Sequence, residues 1–60
     1  MNVYILVQHV CEADLVIGAF STEETARAAM KAAKDADFIE GYSVELWEID
    51  GARVSYIAHA

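Results

Sequence analysis

His9, Cys11, Glu12 and Asp14 lie close together near the start of the chain, and they come nearest of its side chains to a nucleophile or metal cluster. On an extended segment His9 and Cys11, two positions apart, point to the same face. A thiolate nucleophile needs an activating base, and zinc needs three or four converging ligands. Two candidates at a strand end therefore favour a plainer reading, a buried small thiol and a hydrogen-bonded histidine. His59 joins them only if the last strand ends beside the first, and its place next to the final residue predicts fraying instead. The acid pairs Glu45 with Glu48 and Asp35 with Asp37 have the residue types for general acid and base work on a sugar or phosphate, which takes two carboxylates across a cleft. Sixty residues leave little room for a pocket beside a core, so these read as solvated carboxylates. Gly18, Gly41 and Gly51 are too scattered to cradle a phosphate. The chain reads as non-enzymatic, with no catalytic residue, metal ligand or cofactor expected.

The remaining functional pattern is acidic: Glu40, Glu45, Glu48 and Asp50 cluster along one late segment, apart from the basic residues. Ten acidic against four basic residues give a net charge of −6, which disfavours direct binding to nucleic-acid phosphate and favours a basic protein surface or simple solubility. No apolar run approaches the roughly 18 residues of a membrane span, and the first residues lack the basic region of a secretory signal, so a cytoplasmic protein without membrane contact is expected. Cys11 is the single cysteine, which suits a reducing compartment and excludes a disulfide scaffold.

These side chains must be positioned by one domain, residues 1–60, with no linker, repeat or proline. Val3 to Val10 is a β-branched apolar run, with Val3, Ile5 and Val7 on one face and Tyr4, Leu6 and Val10 on the other, and reads as a central strand. Cys11 to Asp14 reads as the loop to a second, antiparallel strand over Leu15 to Phe20, in which Gly18 permits a bulge or a close approach. Ser21-Thr22-Glu23-Glu24 fits a capping box with Ser21 as the cap, opening a helix to about Ala36. Ala26, Ala29, Met30 and Ala33 line its inner face, Glu23, Arg27, Lys31 and Lys34 face solvent, and Glu23 with Arg27 and Lys31 with Asp35 stand at pairing distance. Phe38 and Ile39 are expected to plug the following connection. Asp50-Gly51 between two β-rich runs predicts a two-residue type I′ hairpin. That turn sets Ile49 opposite Ala52, Glu48 opposite Arg53 as an ion pair, Trp47 opposite Val54, Leu46 opposite Ser55, Glu45 opposite Tyr56 and Val44 opposite Ile57.

The fold class is thus α+β, ββαββ, a four-stranded antiparallel sheet with one helix on one face. One helix covers one face only, while an apolar fraction of 57% supplies residues for both. A chain this short buries only about 60% of its unfolded surface, so further burial by a second copy in a homodimer, or by a partner protein, is expected. Trp47 and Tyr56 are the expected anchors of that interface, joined by Ile49, Val54, Glu45 and Glu48. A bulge that tilts both aromatics under the helix is the competing arrangement.

Tyr4 through Gln8-His9, then Ile17-Gly18-Ala19-Phe20-Ser21-Thr22-Glu23-Glu24-Thr25-Ala26, then Trp47-Glu48-Ile49-Asp50, resembles a group of small bacterial and phage domains of unknown function. Their pattern has a strand ending in His, an Ile-Gly-x-Phe-Ser-x-x-Glu-x-Ala helix entry and a late Tyr/Trp-x-Leu/Ile-Asp strand end. The ending Val54-Ser55-Tyr56-Ile57 departs from it by lacking a Trp- and Gly-containing tail. The resemblance implies a phage or prophage origin and no active site. The function expected is a protein-interaction module acting on a host protein, in its most concrete form a phage-type inhibitor of a defence nuclease, similar in size and charge to anti-CRISPR proteins. The alternative is a homodimer binding a small molecule or metal in its cleft, with His9, Cys11 and the two aromatics nearby.

Overall fold

The β-branched run at the start of the chain becomes the strand on which the rest is built. The structure, a computed structural model, describes residues 1–38 and 40–60. Its elements are β1 (Asn2–Val10), β2 (Ala13–Phe20), α1 (Glu23–Ala36), β3 (Gly41–Glu48) and β4 (Arg53–His59). They form one four-stranded antiparallel sheet in the order β2-β1-β3-β4, so β1 is central and the expected ββαββ fold is present.

Alternation along β1 divides the molecule. Leu6 and, from β3, Tyr42 and Val44 turn toward the helix and close over Ala26 and Met30, with Tyr4, Phe20 and Ala33 at the margin. Each large apolar side chain fully buried here contributes about 1.5–3 kcal/mol. The small alanine face lets α1 sit close, and it packs on β1, β2 and β3. Among the described residues no helix or second sheet covers the other side. The Cα framework is 14 Å through its thinnest dimension, the depth of one sheet and one helix.

Local chemistry refines several expectations. The first turn is only Cys11-Glu12, since Val10 already pairs with Ala13, so Ala13 and Asp14 belong to β2 and Cys11 is exposed at the tip, not buried. A bulge falls where Gly18 suggested one: Leu6 pairs with Gly18 and Val7 with Val16, leaving Ile17 over. A Cβ on Gly18 would lie 2.7 Å from the Phe20 ring. The helix cap is Thr22, one residue beyond Ser21, because its Oγ1 accepts from Thr25 N at 3.3 Å and exchanges a 2.7 Å bond with Thr25 Oγ1. Arg27 pairs with Glu23 at 2.7 Å as expected, whereas no ion pair joins Lys31 to Asp35. Lys34 is drawn inward: its ammonium donates to the Glu40 carbonyl at 2.7 Å and sits over the Tyr42 ring. Phe38 is exposed and plugs nothing, and Ile39 lies outside the described residues.

The second hairpin differs most. A type I′ turn needs positive φ at both Asp50 and Gly51, but only Asp50 has it, at 63°. Glu48 N instead donates to Ala52 O and Gly51 N to Glu48 O, closing a three-residue loop. Glu45 opposite Tyr56 and Leu46 opposite Ser55 hold, but β4 bulges on either side of them, so Trp47 faces Arg53 and Val44 faces Ala58. The Glu48–Arg53 ion pair is therefore absent. Arg53 stacks on Tyr56, 4.3 Å from the ring centre, and donates to its hydroxyl.

Candidate functional site

The odd-numbered residues of β1 and β3 point away from the helix, and at one end of that open face they enclose a groove of about 360 Å³. Val3 and Ile5 of β1, Val16 of β2 and Trp47 of β3 form its apolar floor, while Glu45, Glu48, Asp50 and Gly51 close one side. Trp47 stands opposite Val3 across the β1–β3 ladder, so both aromatics stay on the open face and neither tilts under the helix. The indole Nε1 donates to Glu45 Oε1 at 2.8 Å, which fixes the ring. Glu45 is only 9% exposed.

The expected interface residues separate. Trp47, Glu45 and Glu48 meet at the groove, whereas Tyr56, Ile49 and Val54 are exposed beyond it. Sequence reasoning left no room for a cleft and missed Val3, Ile5 and Val16 as its floor. For Val3 and Ile5 the signal was the apolar odd-numbered face of β1, which one helix cannot cover. The acidic strip is also redistributed: Glu40 is not at the groove, Glu45 is buried in it, and Glu48 and Asp50 stand exposed at its edge.

At the opposite end of β1, His9 does not join Cys11. Its Nδ1 lies 2.8 Å from Asp14 Oδ1 and its Nε2 2.8 Å from Ser43 Oγ, the connectivity of a Ser–His–Asp relay. The burial is inverted for that chemistry, since Ser43 is wholly buried and the Asp14 side chain is 67% exposed. A nucleophilic hydroxyl must reach a carbonyl carbon beside free oxyanion donors, yet Ser43 lies inside an inner strand whose amides serve the sheet. The array acts as a clasp tying β2 and β3 to β1. His59 lies in β4 across from Ser43, its ring 5.7 Å from that of Tyr56, and the end of the chain is held rather than frayed by reciprocal bonds between Tyr42 and Ala60. Among the described residues no three His, Cys, Asp or Glu converge as a metal site. Among the described residues no helix is long and apolar enough to cross a membrane.

The family model of DUF7336, a domain of unknown function, matches residues 1–55. The chain belongs to the DUF7336 family. The match spans all five elements as far as Ser55, and so includes the whole groove of this DUF7336 domain, while Tyr56 and His59 lie beyond it. No curated protein and no solved structure matches the chain.

Proposed function

We propose that this DUF7336 domain is a non-enzymatic protein-interaction module that docks through the open face of its sheet. The observation that carries the reading is the groove itself, an apolar floor with a fixed tryptophan and an acidic edge on a face that no helix or second sheet covers among the described residues. Aromatic anchors set in apolar depressions carry much of the energy of protein interfaces. A basic partner suits it better than a second copy, because each copy has a net charge of −6 and an acidic groove edge that would meet its like. The narrower form, a phage-type inhibitor of a host defence nuclease, is supported by the chain's size and acidity, since nucleic-acid-handling proteins present basic surfaces.

The test compares proteins retained from bacterial lysate by the wild-type chain with those retained by W47E and Y56E, after circular dichroism has shown each variant folded. We expect a basic protein that binds the wild type and is lost with W47E. Retention of the same proteins by folded W47E would remove the open face from consideration. The alternative, a small-molecule-binding homodimer, has the groove volume in its favour, at the lower end of ligand pockets. His9 and Cys11, however, lie at the far end of β1 from it. A thermal shift with a metabolite panel, together with a dimeric mass, would favour that reading.

A further inference from the structure

Glu45 is 9% exposed as a residue, and among the described residues no cation pairs with its carboxylate. Among the described residues the one side-chain hydrogen bond it accepts comes from the neutral indole N–H of Trp47, on Oε1. No buried side-chain oxygen among the described residues lacks a partner, so the second oxygen of Glu45 must retain access to the space beside it, which is the groove. Burying a carboxylate without a counter-charge is costly, and the cost falls when a cation arrives in good hydrogen-bonding geometry.

None of the four basic residues of the chain supplies that cation. Arg53 is stacked on Tyr56 and bonded to its hydroxyl. Arg27 holds Glu23 and the Ile57 carbonyl. Lys34 is engaged with Glu40, and Lys31 is exposed on the helix, on the other side of the sheet. Resting on the interaction reading above, we propose that the groove is a receptor for one arginine side chain carried by an apolar segment of the partner protein, with Glu45 as its counter-ion. The indole bond holds the Trp47 ring steady, so a guanidinium can stack on it while its fork meets the free oxygen of Glu45. Arginine fits better than lysine because its planar, weakly hydrated head is less costly to bring over Val3, Ile5 and Val16. Glu48 and Asp50 at the edge attract the same charge from a distance.

Trp47 is the only tryptophan, so its indole N–H resonance and its fluorescence report on this site alone. The probe is a blocked Leu-Arg-Leu tripeptide amide, compared with its Leu-Lys-Leu and Leu-norleucine-Leu counterparts and with methylguanidinium. The arginine peptide is expected to move the indole signal saturably at millimolar concentration, about tenfold or more tighter than the norleucine peptide. E45Q keeps an oxygen to accept the indole N–H, and should lose that advantage while binding the norleucine peptide as before. Equal binding of the arginine and norleucine peptides by the wild type, a comparison that needs no variant, would overturn the arginine assignment and leave the interaction module standing. Full arginine-peptide affinity in folded E45Q would also overturn it. Methylguanidinium binding as tightly as the peptide would overturn the assignment to a protein segment.

Discussion

Ser43 has no solvent to satisfy its hydroxyl, and His9 Nε2 at 2.8 Å is the partner that does so. His9 in turn is half-exposed and steadied by Asp14. The loss should therefore depend on which partner is removed. His9→Ala leaves a buried hydroxyl unpaired and is expected to lower stability by about 1–3 kcal/mol in urea unfolding, whereas Ser43→Ala, which leaves a ring nitrogen that water can reach, should cost under about 1 kcal/mol. Equal losses would show that the clasp does not depend on the buried hydroxyl. A hydrogen-bonded His9 was legible from its residue type and place at a strand end. Its partner was not, because Ser43 lies 34 residues away and only the β1–β3 register brings them together.

Elements were legible wherever one side chain acts on its own neighbourhood. The helix start was read correctly to within one residue, and the shift from Ser21 to Thr22 has a local cause: Thr25 two residues into the helix both donates to Thr22 Oγ1 through its amide and bonds it through its hydroxyl. Thr22→Ala is expected to lower the thermal midpoint by an amount equivalent to about 1 kcal/mol, and Ser21→Ala to leave it within about 0.5 kcal/mol of wild type. The reverse order would return the cap to Ser21. The last hairpin shows where local reading stops. Asp50-Gly51 marked the turn correctly, but the choice of Asp50 alone for positive φ, and the bulges in β4, depend on how the strand lies against β3. One bulge is enough to move Arg53 from Glu48 to the face of Tyr56.

At the scale of the whole molecule, one helix on a four-stranded sheet leaves a face that is apolar at its centre and acidic at one end. Its net charge of −6 disfavours self-association where salt does not screen it, so light scattering in low salt is expected to give the monomer mass of 6.6 kDa across concentrations. A dimer that W47E dissolves would assign the open face to a second copy. The order of strands and helix, the apolar alternation of β1 and a second apolar face that one helix cannot cover were determined by the sequence itself, because periodicity, capping and turn chemistry act over a few residues. The tertiary structure alone decided that Val3, Ile5, Val16 and Trp47 share a groove and that Glu45 is buried there without a counter-ion. Burial is a property of what three strands bring to one place: Trp47 is a sequence neighbour of Glu45, but Val3, Ile5 and Val16 reach the same groove only through the pairing of β1 with β2 and β3.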